Sequence, residues 1–225
     1  VLTGGGTAGH VIPNIAVIEG LKDRYPDIEL LYIGSKNGPE KDLIEKSGIP
    51  FKSVQCGKLR RYFSFANFKD LFRVPFGILQ ARKILKKFRP DKVFGKGGFV
   101  SVPVVIAAFS LKIPVILHES DVSPGLANRI CSRFAGEICV SFQESKKHFR
   151  KKNVVVTGNP VRKMIFEGSR EKGFGLTGFS GEKGEKPVLL VMGGSLGAQE
   201  LNNLVFDNLP ELLRHCQVVH ITGKG

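Results

Sequence analysis

Three times in 225 residues a short apolar run ends in a glycine-rich turn, and a helical pattern follows at once. No other feature restricts the fold as much. The turns are Gly4-Gly5-Gly6-Thr7-Ala8-Gly9, Gly95-Lys96-Gly97-Gly98 and Gly193-Gly194-Ser195-Leu196-Gly197. Gly4, Gly6 and Gly9 follow a G-x-G-x-x-G spacing. Glycines in such a turn permit positive φ and let backbone approach a ligand closely. The helix behind them presents unpaired N–H groups and a partial positive charge, which suit a phosphate. His10 follows directly, in or beside the first helical turn. It reads as a candidate general base; the plainer reading is a capping or packing histidine.

The rest of the chain repeats the same alternation. Strands are expected at 1–3, 28–33, 51–54, 91–94, 114–117, 137–140 and 154–157. Helices are expected at 14–24 with Pro13 in the first turn, 38–46 closed by Gly48, 101–110, 124–134 and 143–150. The longest helical pattern, 68–88, contains Pro75, which predicts a kink or a break. Strands alternating with helices at this pitch predict a parallel α/β sheet covered on both faces. Between 163 and 186 glycines alternate with charges and periodicity is lost, which reads as a linker. A new unit then starts, with a strand at 187–192, a helix to 214 and a strand at 217–221. The expected domains are thus a Rossmann-like 1–162, a linker 163–186, and the start of a second domain, 187–225. Two strands and a helix cannot close such a domain, so the second is expected to be incomplete. Val1 is not an initiator Met, and a start trimmed by a few residues is expected.

Composition narrows the function classes. Apolar residues make up 42% and charged residues 24%, as in soluble globular proteins. No run of eighteen apolar residues exists to predict a transmembrane helix, and no signal peptide is visible. Cys56, Cys131, Cys139 and Cys216 are scattered without a C-x-x-C pair, which argues against a zinc site or a disulfide framework. The net charge of +14 points to anionic partners. Residues 58–92 carry most of it, with eleven Lys and Arg against Asp70 and Asp91. Phe63, Phe65, Phe68, Phe72 and Phe76 lie among these bases. Bases around exposed aromatics describe an interfacial membrane patch, Lys58 to Lys92. A half-buried helix with a solvated basic face is the alternative.

Ligands of an open α/β sheet bind beyond the carboxyl ends of its strands. The first two glycine turns would line one such crevice. His118-Glu119-Ser120-Asp121 sits at another strand end and would reach the same rim, with Asn128 pointing back to it. Arg162, in Asn159-Pro160-Val161-Arg162, follows the last strand of the first domain and could pair with phosphate. Strand-end polarity, helix capping and a solvated arginine are the plainer readings of these residues.

Together these residues resemble the MurG family. The matching motifs are Gly5-Gly6-Thr7-Ala8-Gly9-His10, Gly97-Gly98-Phe99-Val100-Ser101-Val102-Pro103, His118-Glu119, Gly158-Asn159-Pro160-Val161-Arg162 and Gly193-Gly194-Ser195-Leu196-Gly197-Ala198. The resemblance implies a GT-B glycosyltransferase of two Rossmann-like domains. It implies transfer of N-acetylglucosamine from UDP-GlcNAc to the C4 hydroxyl of MurNAc in lipid I, giving lipid II for peptidoglycan, at the cytoplasmic face of the bacterial membrane. His10 would be the catalytic base. Thr7, Ala8, Gly9, Gly97, Gly98, Glu119, Asp121, Asn128, Arg162 and Ser195 would bind substrate. No metal or other cofactor is expected: no Asp-x-Asp pair is present, and backbone N–H groups around Ser195 suit the leaving diphosphate. Two departures stand out. The family often has His-Glu-Gln-Asn where this chain has His118-Glu119-Ser120-Asp121, so an acid replaces an amide. The family's second domain also runs well past Gly225, so these residues alone are not expected to form a competent enzyme.

The residues leave other classes open. One is an NADP-dependent oxidoreductase, although the expected second strand ends at Gly34-Ser35-Lys36 without the acid that holds a ribose. Another is a basic module binding nucleic acid, for which no recognised motif is present. A third is a different GT-B enzyme, a glycolipid glycosyltransferase or a UDP-GlcNAc epimerase.

Overall fold

The computed structural model describes the chain except residues 7, 37, 39, 58–64, 150–152, 180–184, 195–196 and 224–225, and except the side chains of 8 and 65–72. The chain divides into two compact units, Val1–Lys163 and Met164–Gly225.

The first unit runs β1 (Leu2–Thr3), α1 (Ala8–Arg24), β2 (Tyr32–Ser35), α2 (Glu40–Glu45), β3 (Phe51–Val54), α3 (Phe65–Phe88), β4 (Val93–Gly95), α4 (Ser101–Ser110), β5 (Val115–Glu119), α5 (Leu126–Cys131), β6 (Glu137–Val140) and β7 (Asn153–Val156), with a 3-10 turn at Gln143–Phe149. Its seven strands lie in the order β3-β2-β1-β4-β5-β6-β7 and every pairing is parallel. This is the expected doubly wound sheet. Successive residues of one strand enter different cores. Tyr32 packs with Leu2, Val11, Ile15, Ile18 and Ile44, whereas Ile33 packs with Ala81, Leu85, Val104, Val105 and Leu117. Side chains of a strand alternate between faces, so α1 and α2 cover one face and α3, α4 and α5 the other. α4 (Ser-Val-Pro-Val-Val-Ile-Ala-Ala-Phe-Ser) is apolar almost all round and is buried over most of its length.

The boundaries differ from the sequence expectation where tertiary contacts override local pattern. α1 begins at Ala8, because the glycine turn closes at once, so Pro13 lies inside the helix rather than in its first turn. It leaves the Gly9 carbonyl without its usual donor. β2 starts at Tyr32, since β1 pairs with it only from that residue; Leu30 and Leu31 are buried outside the ladder. α3 runs through Pro75 without a break. Close docking accounts for that: a Cβ on Gly77 would stand 1.9 Å from the Gln55 carbonyl oxygen, so the helix is held against its neighbours.

The second unit holds α6 (Arg170–Thr177), β8 (Val188–Met192), α7 (Gln199–Asp207), α8 (Leu209–His215) and β9 (Gln217–Ile221), with β8 and β9 parallel. Residues 163–186, expected as linker, therefore contain a helix. Ser169 caps its N–H groups and Gly178 ends it in a left-handed conformation. The single helix expected to residue 214 is two helices, because Pro210 sits in the first turn of α8 and carries no N–H to continue α7.

Candidate functional site at the sheet switch point

Strand order reverses between β1 and β4, and ligands of such sheets bind beyond the strand ends at that point. The first two glycine turns leave β1 and β4, so they flank it. They also touch. Gly98 has φ +78°, and a Cβ there would stand 2.1 Å from the Gly5 carbonyl oxygen. Gly97, at φ +98°, lies between two functional side chains: a Cβ on it would be 3.2 Å from Asn128 Nδ2 and 3.4 Å from His10 Cε1. Gly97 thus has His10 and Asn128 as neighbours, and its positive φ favours glycine there.

A buried polar network fixes the first turn from below. Asn14 Nδ2 donates to the Tyr32 hydroxyl at 2.9 Å, and that hydroxyl donates to the Gly4 carbonyl at 2.8 Å. Burial pushes the Tyr32 phenol up, out of reach of physiological titration. Glu40, fully buried at the start of α2, accepts from the Ser35 N–H at 2.7 Å, from the Ser35 hydroxyl, and from the Gly6 N–H at 3.5 Å. An acid does therefore reach the end of β2, contrary to the reading of Gly34-Ser35-Lys36 alone. It arrives from the next helix, and its oxygens are already engaged by this chain's own donors.

The chemistry gathers on the other side. His10 is half-buried, and its ring pairs with the Lys96 backbone. Desolvation first, and then the Lys96 ammonium, hold its pKa below the ordinary value; Glu119 and Asp121 pull the other way. That shift favours the neutral imidazole, the form that can accept a proton. Glu119 is buried at the end of β5. It accepts from the Asp121 N–H at 2.9 Å, from Asn128 Nδ2 at 2.9 Å and from the Gly125 N–H at 3.3 Å. Asn128 also donates to the His118 carbonyl at 3.1 Å. Glu119 and Asn128 thus brace each other and the β5–α5 turn. The Asp121 side chain stands exposed on the rim.

His118 is buried and makes its one described ring bond, 2.8 Å, from Nε2 to the Gly158 carbonyl. That bond requires Nε2 to be the donor, and Nδ1 has no partner among the described residues. Desolvation and the nearby Lys96 push its pKa down to about 4. Below pH 6.5 the unfolded chain takes up a proton there that the folded chain refuses. Stability contributed by neutral His118 is therefore complete above pH 6.5 and falls as pH drops toward 4. Urea unfolding should show a loss of roughly 2 kcal/mol between pH 7 and pH 5 from this residue. His118→Gln should flatten that slope; an unchanged slope would count against the assignment.

The expected site residues divide. His10, Gly97, Gly98, Glu119 and Asn128 are brought together, with Asp121 on the rim beside them. Gly9 is exposed in the first turn of α1. Arg162 is half-buried with its Nε unpartnered, and no hydrogen bond among the described residues joins it to this cluster. Thr7 and Ser195 lie outside the described residues, as does the Ala8 side chain. Four contributors escaped sequence reading: Asn14, Tyr32, Glu40 and Lys96. The sequence carried no signal for the burial of Lys96: a lysine between Gly95 and Gly97 at a strand end reads as a solvated charge, and only neighbouring segments enclose it.

The family model for the glycosyltransferase family 28 N-terminal domain matches residues 1–140, and that for the family 28 C-terminal domain matches residues 188–225. The chain is 53% identical over all 225 residues to UDP-N-acetylglucosamine--N-acetylmuramyl-(pentapeptide) pyrophosphoryl-undecaprenol N-acetylglucosamine transferase 2 of Bacillus cereus, covering 62% of that protein. It is 52% identical over the same span to the corresponding transferase of Clostridium tetani, again covering 62%. The chain thus spans about three fifths of the length of these relatives. Among solved structures it matches MurG of Acinetobacter baumannii with a TM-score of 0.69 at 26% identity, over 99% of this chain and 58% of that one. A UDP-GlcNAc 2-epimerase from Neisseria meningitidis matches with a TM-score of 0.68 at 19% identity, over 97% of this chain and 64% of that one, and shares the fold. The α/β glycosyltransferase fold expected from the motifs is borne out, and the chain belongs to glycosyltransferase family 28.

Proposed function

We propose that this chain carries the acceptor side of an inverting N-acetylglucosaminyltransferase that moves GlcNAc from UDP-GlcNAc to the C4 hydroxyl of MurNAc in lipid I, forming lipid II. The observation that carries the reading is a half-buried His10, its pKa lowered by burial, held beside two touching glycine turns at the sheet switch point. The names of relatives at 52–53% identity support the substrate pair. In this reading the acceptor diphosphate rests on the N–H groups of the turns after β1 and β4. His10 takes the proton of the attacking hydroxyl as the bond to the anomeric carbon forms and UDP leaves. The glycine turn 193–197 of the second unit serves the donor, with Ser195 as its candidate side chain. Thr7, Ala8, Gly9, Asp121 and Arg162 are the remaining candidate substrate contacts. The test is transfer of labelled GlcNAc to a lipid I analogue by the enzyme carried to the full length of its relatives. Conversion of UDP-GlcNAc to its 2-epimer without transfer would instead assign an epimerase.

The same reading places the protein peripherally on the cytoplasmic face of the membrane, by way of residues 58–92. No helix among the described residues is long and apolar enough to cross a membrane. Phe63, Phe65, Phe68 and Phe72 lie outside the residues or side chains described. On the part of α3 that is described, Phe76 and Leu79 are 51% and 64% exposed. Lys83, Lys86 and Lys87 continue the same helical stripe and are exposed. Ala81 and Leu85, on the opposite face, are in the core. Apolar side chains beside bases suit an anionic lipid surface, each base contributing about 1 kcal/mol. Vesicle sedimentation should show binding that needs anionic lipid and weakens with salt. Lys86→Gln with Lys87→Gln should reduce the salt-sensitive part, and Phe76→Ser with Leu79→Ser the residual part. Equal sedimentation of all variants would assign the stripe to another contact.

A further inference from the structure

Lys96 is the one lysine among the described residues that is fully buried, at 1% exposure. Nothing in its surroundings reads as simple packing. Its backbone N–H donates to the Thr3 carbonyl at 2.9 Å, locking the end of β4 to the end of β1. Its backbone also pairs with the His10 ring. Its ammonium donates to the Ser120 hydroxyl, and Ser120 in turn donates to Asn159 Oδ1 at 3.1 Å. A buried ammonium is retained only where charge and hydrogen bonds compensate its desolvation. The compensating charges here are Glu119 and Asp121. Glu119 ends β5, and Asp121 follows two residues later.

We propose that Lys96 is a positioning residue of the glycosyl-transfer site: from beneath the rim it neutralises the field of Glu119 and Asp121 at His10 and ties the β5 rim to the turn after β7 through Ser120 and Asn159. Asp121 and Glu119 favour a charged His10 and Lys96 opposes it, while His118 has its own pKa pushed down to about 4. The ammonium itself titrates at about 8, lowered by burial and sustained by the two acids. It is therefore still charged at neutral pH, where His10 must be uncharged. An exposed Asp121 can then sit on the rim without turning the histidine beside it into an imidazolium.

The inference gives a purpose to the reading of His10 as base, but its test does not require activity. The His10 ring is followed by NMR against pH in this chain. Lys96→Met should raise the His10 titration midpoint by roughly one pH unit, as removal of a neighbouring like charge does. Lys96→Arg should restore it, and Ser120→Ala should leave it near the original value while loosening the rim. A folded Lys96→Met variant with an unmoved His10 midpoint overturns the proposal. If Lys96→Met does not fold, the second arm decides. Asp121→Asn changes an exposed side chain, and in that variant the Lys96 Cε resonance should titrate at lower pH than in the original chain. No movement of the Lys96 midpoint there would also overturn it. Loss of transferase activity in His10→Ala is a separate readout, so failure of the base assignment and failure of the Lys96 assignment can be told apart.

Discussion

Replacing His10 with Ala, in the enzyme carried to the full length of its relatives, should cost about 10²–10⁴-fold in turnover while leaving UDP-GlcNAc affinity close to its original value. Three structural facts set the size of the effect. The ring lies in the first turn of α1, directly behind the glycine turn that follows β1. It lies beside Gly97, whose φ of +98° favours glycine. Burial and Lys96 hold its pKa down and so favour its unprotonated form. A base with a pKa held below the ordinary histidine value remains available as pH falls, so the acid limb of kcat/KM should lie below about pH 6.5. The limb should be absent in His10→Ala. Steady-state kinetics from pH 5 to 8, with donor binding measured by calorimetry, check both statements. Turnover within threefold of the original would remove His10 from the base role.

The second large effect is expected at Gly98. Any side chain there meets two obstacles at once. The backbone has φ +78°, which an L side chain adopts only at a cost of about 1–2 kcal/mol. Its Cβ would also stand 2.1 Å from the Gly5 oxygen and 3.2 Å from the Gly5 nitrogen, both backbone atoms that cannot swing aside. The turns after β1 and β4 must then move apart, at a cost typical of overpacking, so Gly98→Ala should destabilise this chain by roughly 2–5 kcal/mol in urea unfolding. Gly98→Val should be worse. In the full-length enzyme the same separation of turns should raise the KM for the lipid acceptor more than that for UDP-GlcNAc, because in the proposed reading both turns serve the acceptor. An equal rise in the two constants would contradict that division. By contrast Gly6, although at φ +90°, has open space where its Cβ would be, so its substitution carries the conformational cost alone.

The sequence by itself determined the architecture. Strand–turn–helix repetition predicted a parallel sheet, and the strands at 51–54, 137–140 and 217–221 and the helix at 101–110 lie where local pattern put them. Those segments share a reason: each is a short stretch set off by turn or breaker residues, so its limits are local properties. The glycine turns, His10, Glu119 and Asn128 were legible for a related reason, since a turn that must bend sharply beside a ligand leaves its mark in residue type. Tertiary structure alone decided the rest. Pro75 did not break α3, because docking against neighbouring backbone near Gly77 held the helix together. Glu40 reached the end of β2 from five residues beyond Ser35, a return that only the packing of α2 could bring about. The buried line from Asn14 through Tyr32 to Gly4 joins residues eighteen and twenty-eight apart. Lys96 became an interior charge where the folded chain brings the Ser120 hydroxyl to its ammonium and the fields of Glu119 and Asp121 sustain it. Hydrophobic period is written residue by residue along the chain, whereas a buried charge or hydrogen bond depends on which distant segments the sheet order makes neighbours.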